Sequence, residues 1–291
     1  MLIVGFPDYA NQAARLAEKL GATLSQIEVH RFPDGESLVR LPATLPRHVV
    51  FCRSLNQPND KLIELLLSAK TARKLGVERI TLVAPYLCYM RQDIANRPGE
   101  AVSQRIVGEM LADLFDDVIT VDPHLHRIIR LDEAIPLPNA VNISAHEAIA
   151  DFLKSRLERA ILLGPDSESA QWVSGIAART GFDQSVAEKV RLGDRDIAIT
   201  LPKIDFKNRP VVVIDDMAST GRTLAQAITL LHRAGATDVY AVVTHALFCG
   251  DAETYIRSAG VKAIWSTDSI EHSTSCIHLD GLLSAALLAI L

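Results

Sequence analysis

The sequence predicts an α/β protein of two tandem domains, each a mainly parallel sheet with helices on both faces. Three observations lead to this fold class. Short runs of β-branched and apolar residues alternate with longer amphipathic stretches almost throughout the 291 residues, as strands alternate with helices in parallel sheets. Most of these runs are continuously apolar, which is typical of strands buried on both faces. The length suits one large domain or two of ordinary size.

The predicted strands are separated by stretches with helical periodicity. In chain order the strands are Leu2–Gly5, His48–Cys52, Ile80–Pro85, Asp117–Asp122, Ala160–Gly164, Val211–Asp215 and Asp238–Phe248. A representative helix lies in DKLIELLLSAKTARKLG, where apolar residues recur three and four positions apart. Pro136 and Pro138 interrupt the alternation near the middle of the chain. We therefore predict domains at 1–142 and 143–291, and we expect the last helix, about 279–291, to pack back on the first domain.

The composition argues against several classes of function. A net charge of −5 with a pI near 6.0 gives no reason to expect nucleic acid as a partner, so any anion site must concentrate positive charge locally. The apolar tail LLSAALLAIL is too short to span a bilayer, and no basic leader precedes the first strand, so we expect a cytoplasmic protein. The cysteines lack metal-ligand spacing and are expected to be free thiols; they are Cys52, Cys88, Cys249 and Cys276.

The segment Val211–Thr223 is the most informative about function. Its apolar strand delivers Asp215 and Asp216, and a short loop rich in hydroxyl groups then leads into a helix. Gly221 lets the backbone approach an anion closely, and the loop hydroxyls and first N–H groups of the helix are donors for a phosphate. Paired carboxylates suit the vicinal hydroxyls of a sugar, so the segment predicts a ribose phosphate. In the alternative interpretation, a loop hydroxyl merely caps the helix.

Two other strands end in residues suited to chemistry. One is followed by DPHLH at 122–126 and the other by GPDSES at 164–169. Ligands of open α/β sheets bind beyond the carboxyl ends of the strands. From the residues alone, His124 and His126 are equally well explained as a structural pair, and Arg91 as a surface arginine.

A pair of cations lies in AEKVRLGDRDIAI. Lys189 and Arg191 are two positions apart, which places both on one face of an extended segment. The stretch 188–195 is charged and contains Gly193, as expected of a movable flap. Phosphoryl transfer depends mainly on positioning and on cancellation of charge, which such a pair can supply. The alternative is a solvated edge of a hairpin.

Several motifs are similar to those of the ribose-phosphate diphosphokinases, which synthesise phosphoribosyl pyrophosphate. VVVIDDMASTGRT resembles the sugar-phosphate loop that this family shares with type I phosphoribosyltransferases. RFPDGE, YMRQD, EAVSQR, the Asp122-x-His124 spacing and THALFCGDA resemble elements of the diphosphokinases, and the likeness runs almost from end to end. The resemblance implies two domains of the type I phosphoribosyltransferase kind. It also implies transfer of the β,γ-diphosphate of Mg-ATP to the 1-hydroxyl of ribose 5-phosphate.

The resemblance implies a role for each matching position. Lys189 and Arg191 would be the catalytic pair, and Mg²⁺ would be served by His124 and Asp166. The residues implied to bind the nucleotide on the first domain are Phe32, Asp34, Glu36, Arg91, Gln92 and His124. The residues implied to bind ribose phosphate on the second domain are Asp166, Asp215, Asp216, Ser219, Thr220, Gly221, Arg222 and Thr223. In this family Phe32, Asp34 and Glu36 would serve a neighbouring subunit, which implies a homodimer or a higher homo-oligomer.

The sequence departs from the family pattern in one element. The glycines expected after Asp166 are replaced by Ser167–Ser169, which adds a carboxylate. The flap and Ser219 resemble the shorter archaeal-type members, which implies weak or absent control by phosphate and ADP. Whether ATP or ADP is the donor stays open. The competing hypotheses are a phosphoribosyltransferase, which leaves the first domain's motifs unexplained, and an inactive nucleotide-binding regulatory paralogue. A conventional Walker-A kinase is not expected, because the sequence contains no GxxxxGK[ST] string.

Overall fold

The computed structural model describes residues 1–125, 127–191 and 197–291, apart from the side chains of 189–191, 197 and 198. The predicted fold class is confirmed, because these residues form two α/β units, each built on a parallel sheet. Within the described residues, every helix is too short or too polar to cross a bilayer.

The first unit comprises Met1–Ser144 together with Asp280–Leu291. Its sheet has the order β2-β1-β5-β6-β7-β8, with every pairing parallel. These strands are β1 (Leu2–Gly5), β2 (Thr23–Gln26), β5 (His48–Cys52), β6 (Arg79–Val83), β7 (Asp117–Val121) and β8 (Asn139–Ile143). An antiparallel hairpin follows β2 and consists of β3 (Glu28–Arg31) and β4 (Ser37–Arg40). The helices are α1 (Ala10–Leu20), α2 (Pro58–Lys74), α3 (Ser103–Leu114) and α8 (Asp280–Ala289).

The second unit comprises Ala145–Leu279. Its sheet has the order β10-β9-β13-β14-β15-β16, again with every pairing parallel. These strands are β9 (Ile161–Gly164), β10 (Asp183–Val186), β13 (Val211–Met217), β14 (Val239–His245), β15 (Ala263–Thr267) and β16 (Ser275–Ile277). A second hairpin consists of β11 (Glu188–Arg191) and β12 (Ile197–Thr200). The helices are α4 (His146–Arg156), α5 (Ala170–Thr180), α6 (Arg222–Arg233) and α7 (Ala252–Ser258).

The two units repeat one topology. Each contains a strand, a helix and a parallel partner strand in succession, followed by an antiparallel hairpin before the sheet continues. In the second unit, α4 precedes this series. Helix α1 starts at residue 10 and α5 at residue 170, β2 at 23 and β10 at 183, and β3 at 28 and β11 at 188. This constant offset of 160 residues places the hairpin that carries the FPDGE motif and the hairpin that carries the cation pair at equivalent positions.

The central strands form where the sequence is continuously apolar. β1 and β5 have the predicted bounds, and their central side chains are fully buried, as expected for strands covered on both faces. The predicted end of β14 is wrong by three residues, because the chain turns after His245 although Ala246 and Phe248 stay buried. Phe248 has a φ of 33°, in the left-handed region that ends an extended segment.

The last helix, α8, lies in the first unit and packs on α1. Arg79 holds its end, because Nη2 donates to the carbonyl oxygen of Ile290 at 2.7 Å. The same guanidinium makes two bonds, at 2.8 and 2.9 Å, to the carboxylate of Asp117. This clamp lies at the amino ends of β6 and β7, which is the end of the sheet opposite to the predicted site.

Candidate active site

The carboxylate pair lies at the carboxyl end of β13 in the second unit. Asp216 is buried and Asp215 is half-buried, and the backbone N–H of Asp216 donates to Oδ1 of Asp215 at 3.0 Å. Burial, followed by the charges of Asp216 and Asp166, raises the pKa of Asp215 well above its ordinary value. The structure therefore brings these three predicted residues into electrostatic contact. A ligand that offers hydroxyl donors or positive charge relieves their repulsion.

The loop after β13 leads into an open helix N-terminus. Gly221 is the N-cap of α6 with a φ of 70°, and no side chain caps the helix. The interpretation in which a hydroxyl of Ser219 or Thr220 caps this helix is therefore wrong. The side chains of Thr220 and Arg222 are exposed, and that of Thr223 is half-buried. Uncapped N–H groups with hydroxyls beside them are suited to binding a phosphate.

The segment after β14 forms one wall of this loop. The N–H of Phe248 donates to the carbonyl oxygen of Ala218, and the N–H of Cys249 to that of Ser219, both at 2.8 Å. The Oγ of Ser219 also donates to the thiol sulfur of Cys249 at 3.6 Å. Further along the same segment, a Cβ on Gly221 would lie 2.8 Å from the carbonyl oxygen of Ala252. The segment from Phe248 to Ala252 therefore supports the loop at several points, and the sequence did not identify it as a support.

The motif that departs from the family pattern forms a tight turn after β9. The Oδ1 of Asp166 accepts the N–H groups of Glu168 and Ser169 at 3.1 and 3.3 Å. Ser169 is fully buried, and its hydroxyl donates to the carbonyl oxygen of Asp166 at 2.5 Å. A Cβ on Gly164 would lie 2.2 Å from this hydroxyl. The serine that replaces a glycine therefore fixes the turn that carries Asp166.

In the first unit, Arg91 and Gln92 lie in the loop after β6, with Arg91 exposed and Gln92 half-buried. The buried Gln104 of α3 anchors this loop, because Nε2 donates to the carbonyl oxygen of Met90 at 2.9 Å and its backbone N–H to that of Gln92 at 3.2 Å. Gln104 belongs to the EAVSQR motif, whose supporting role the sequence did not reveal.

Two more residues hold the same loop and His124. The carboxylate of Asp93 pairs with Nη1 of Arg127 at 2.7 Å. His124 is half-buried and follows β7, which pairs directly with β6. The N–H of Val121 donates to the carbonyl oxygen of Pro85 at 3.2 Å, so the two strand ends are joined. His126 lies outside the described residues.

Phe32, Asp34 and Glu36 form the exposed tip of the β3–β4 hairpin. The N–H of Phe32 donates to the carbonyl oxygen of Glu36 at 2.8 Å, and the N–H of Glu36 donates to Oδ1 of Asp34 at 3.1 Å. Gly35 has a φ of 93°, which only glycine adopts readily. The tip is ordered by its own backbone, and its apolar and acidic side chains face outward.

The predicted cation pair lies on β11. The backbone of this strand is described, and the side chains of Lys189 and Arg191 lie outside the described part of the chain, as does all of 192–196 including Gly193. The extended geometry places positions 189 and 191 on one face of the strand.

The carboxylates of Asp166, Asp215 and Asp216 in the second unit are candidate oxygen ligands for a divalent cation. Mg²⁺ takes one or two carboxylates and completes its shell with water and substrate oxygens. Burial, followed by repulsion from Asp216 and Asp166, raises the pKa of Asp215, and a bound cation would relieve both effects. Of the two predicted ligands, Asp166 offers the oxygen that Mg²⁺ prefers, whereas His124 offers nitrogen. Among the described residues, no group of three or more His, Cys, Asp or Glu is arranged to hold a metal by itself.

Two protein families match consecutive parts of the chain. Residues 1–114 match the N-terminal domain of ribose phosphate pyrophosphokinase, and residues 139–271 match the phosphoribosyl transferase domain. The second match is common to both kinds of enzyme considered above. The first covers the part of the chain that a phosphoribosyltransferase leaves unexplained.

Curated relatives cover nearly the whole chain. The ribose-phosphate pyrophosphokinase of Methanopyrus kandleri is 34% identical over 273 residues, which is 93% of this chain and 92% of that protein. The ribose-phosphate pyrophosphokinase of Methanosarcina acetivorans is 32% identical over 288 residues, which is 99% of each chain. The crystal structure of phosphoribosylpyrophosphate synthetase from Mycobacterium smegmatis has the same fold, with a TM-score of 0.83 over 99% of this chain and 98% of that chain at 22% identity.

Proposed function

The chain belongs to the ribose-phosphate pyrophosphokinase family of enzymes, and we propose that it transfers the β,γ-diphosphate of Mg-ATP to the 1-hydroxyl of ribose 5-phosphate. The products are 5-phosphoribosyl 1-pyrophosphate and AMP. One observation carries the assignment of the acceptor: the half-buried Asp215 and the buried Asp216 at the end of β13 are followed by a short loop and an uncapped helix N-terminus. This arrangement suits a sugar diol and a phosphate monoester on one small molecule.

The second unit binds the acceptor in this proposal. Asp215 and Asp216 accept hydrogen bonds from the ribose hydroxyls, and Asp166 serves the ribose and its cation. The 5-phosphate lies against the loop and first turn of α6, whose contributing residues are Ser219, Thr220, Gly221, Arg222 and Thr223. The raised pKa of Asp215 supports this role, because hydroxyl donors and a cation both stabilise the charged form of the carboxylate.

The first unit binds the nucleotide. Arg91 offers planar donors to phosphate oxygens, and Gln92 offers an amide to phosphate or base. His124 lies beside the triphosphate, at the end of the strand next to the loop of Arg91. The loop that carries Arg91 is anchored through Gln104 and Asp93, which supports this assignment because a fixed loop limits the positions that the arginine can adopt.

The reaction is an in-line displacement at the β-phosphorus. The oxygen of the ribose 1-hydroxyl forms a bond to the β-phosphorus, the bond from that phosphorus to the oxygen bridging to the α-phosphorus breaks, and AMP leaves with the bonding electron pair. The hydroxyl proton passes to solvent. Lys189 and Arg191 neutralise charge on the transferred and leaving oxygens, which is the main catalytic need of a loose phosphoryl transition state.

Mg²⁺ is the cofactor in this proposal. Asp166 and His124 are the residues that would hold it, and when bound it supplies positive charge on the diphosphate and a template for its orientation. The chain's own residues bind the sugar, orient its 1-hydroxyl and exclude water.

The hairpin tip serves a neighbouring copy of the chain, so the enzyme is a homodimer or a higher homo-oligomer. The hairpin residues Phe32 and Leu38 are 41% and 42% exposed, and Ile63 and Leu67 of α2 are 53% and 38% exposed. Such exposed apolar side chains on adjacent elements support an interface between copies. Nucleic acid and membrane are not expected partners, and a cytoplasmic location stays a prediction from the sequence.

A coupled assay tests the function. Purified protein is offered Mg-ATP or Mg-ADP with ribose 5-phosphate, and AMP and phosphoribosyl pyrophosphate are measured by chromatography. We expect both products in equal amounts from ATP, without any added base or amine. Product formation only in the presence of a nucleobase would instead identify a phosphoribosyltransferase. Nucleotide binding without turnover would identify the regulatory paralogue.

A mixing experiment tests the shared site. Phe32→Ala damages the hairpin tip and Lys189→Ala the flap, so each variant alone should have little activity. If the tip acts on a neighbour, co-refolded mixtures contain sites with an intact tip and an intact flap, and activity returns. Mixtures no more active than the sum of the two variants would place the tip in its own subunit's site.

A further inference from the structure

A fully buried carboxylate lies beneath the β3–β4 hairpin. Glu64 of α2 has no exposed surface, although a buried carboxylate is unfavourable unless it is paired and hydrogen-bonded. Its two oxygens have different neighbours. Oε2 forms an ion pair with Nη2 of Arg53 at 2.5 Å without hydrogen-bond geometry, and Oε1 accepts from the hairpin. Glu64 therefore joins the body of the first unit to an element that projects from it.

On the body side, Glu64 belongs to a buried ionic network. Arg53 follows β5 with only 3% of its side chain exposed, and its guanidinium lies 4.3 Å from the ring centre of Phe6. Its Nε also pairs with Oδ1 of Asp8 at 3.0 Å, and Lys61 pairs with the other oxygen of Asp8 at 2.7 Å. Asp8 and Arg53 follow β1 and β5, and Lys61 belongs to α2, so the network joins the sheet to the helix that carries Glu64.

On the hairpin side, Oε1 of Glu64 holds both strands. It accepts from Oγ of Ser37 at 3.0 Å and from Nε of Arg31 at 3.4 Å. Arg31 and Ser37 face each other as the last residue of β3 and the first of β4, so they flank the tip at 32–36. Arg31 is fixed further by Asp60 at 3.1 Å.

Stability alone does not account for such a network. Buried ion pairs can often be replaced by apolar residues of similar volume with little loss of stability, and some of them instead fix a unique geometry. Here the geometry fixed is the base of a tip whose own side chains are exposed. A hairpin of two short strands is only marginally stable by itself, so its orientation depends on what grips its base.

We propose that Glu64 is a positioning residue for nucleotide recognition, which it performs by clamping Arg31 and Ser37 and so orienting the tip with Phe32, Asp34 and Glu36. The inference rests on the proposed function, in which that tip reads the nucleotide. Glu64 touches neither substrate. Its loss affects the affinity for nucleotide and leaves the affinity for ribose 5-phosphate unchanged.

The test compares three variants of the full chain. Glu64→Gln removes the charge at nearly constant shape, and Ser37→Ala removes one hairpin bond without leaving a buried charge unpaired. Glu28→Gln is the matched control, because Glu28 pairs with Arg40 at 3.0 Å on the same hairpin but both side chains are exposed. Melting temperatures establish that each variant is folded. Steady-state kinetics then give kcat and the KM for each substrate.

We expect Glu64→Gln to raise the KM for Mg-ATP about tenfold or more, since small misplacements of binding groups have large effects. The KM for ribose 5-phosphate should stay within about twofold of wild type. Ser37→Ala should raise the KM for Mg-ATP by roughly threefold, the usual effect of one lost hydrogen bond. Glu28→Gln should leave both constants unchanged.

Calorimetry with Mg-α,β-methylene-ATP separates this inference from the proposed function. The methylene bridge of the analogue prevents transfer, so turnover is measured separately with Mg-ATP. A wild-type protein that binds the analogue but forms no phosphoribosyl pyrophosphate from Mg-ATP and ribose 5-phosphate would refute the function, and the binding data would still decide the role of Glu64. The inference is overturned if folded Glu64→Gln binds the analogue as tightly as wild type, or if it changes both KM values equally. If Glu64→Gln does not fold, an unchanged nucleotide affinity in Ser37→Ala overturns it.

Discussion

Replacing Gly221 by alanine tests the geometry of the sugar-phosphate loop. Gly221 has a φ of 70°, and a Cβ built on it would lie 2.8 Å from the carbonyl oxygen of Ala252 and 2.9 Å from two atoms of Ile256. Real Cβ atoms essentially never approach so closely, so the loop or the start of α7 must move. Because the carbonyl oxygen belongs to the backbone of a helix, the loop is the element expected to shift.

The cost of this substitution has two parts. The left-handed conformation costs alanine about 1–2 kcal/mol, and relieving the overpacking costs about 1–3 kcal/mol. If the loop shifts rather than the whole unit unfolding, most of the resulting 2–5 kcal/mol, a rough sum of these estimates, appears as weaker binding. Since about 1.4 kcal/mol corresponds to a tenfold change, the affinity for ribose 5-phosphate should fall at least about thirtyfold.

Gly181→Ala is the matched control for Gly221→Ala. Gly181 has a φ of 74°, and a Cβ there meets nothing within 4 Å, so only the conformational cost of about 1 kcal/mol applies. Calorimetry should show weaker binding of ribose 5-phosphate in Gly221→Ala and wild-type binding in Gly181→Ala. Equal binding by the two variants would refute the assignment of this loop to the 5-phosphate.

Three further predictions address charge and reactivity. The pKa of Asp215 is raised in the folded state, so the ligand-free enzyme should lose stability as the pH rises from about 4. In thermal melts, Asp215→Asn should abolish that loss of stability. The same variant should bind ribose 5-phosphate more weakly. Lys189→Ala should lower turnover by roughly a hundredfold or more with unchanged ribose 5-phosphate affinity in calorimetry, and near-normal turnover would contradict the role of the flap. Burial raises the pKa of Cys88 to about 12, so mass spectrometry after treatment with a thiol reagent at about pH 8 should find the exposed Cys249 modified and Cys88 intact.

The central strands were predictable because burial on both faces leaves a continuous apolar run in the sequence. β1 and β5 have the predicted bounds for this reason. The edge strand β2 and the β3–β4 hairpin were missed, because their side chains are largely exposed and carry no such signal. The end of β14 was placed too late because apolar side chains continue into the turn, where only backbone dihedrals mark the change.

The sugar-phosphate site could be read from the sequence because one contiguous segment holds its carboxylates, hydroxyls and glycine. Its supports could not, since they are contacts between distant segments. The backbone bonds from Phe248 and Cys249 join residues about 30 positions apart, and the grip of Glu64 on Ser37 spans 27 positions. Local periodicity records which face of an element is buried and does not identify the partner it meets.

The repeated topology gives each unit one antiparallel hairpin, and the helices at equivalent places in the two units differ in their buried side chains. In the first copy, helix α2 offers a buried acid to the arginine that ends β3. Helix α6 follows β13 as α2 follows β5, yet its buried side chains are all aliphatic; they are Leu224, Ala225, Ala227, Ile228 and Leu231. A buried acid is thus part of the support of the first hairpin, whereas the helix at the equivalent place in the second unit offers aliphatic side chains instead.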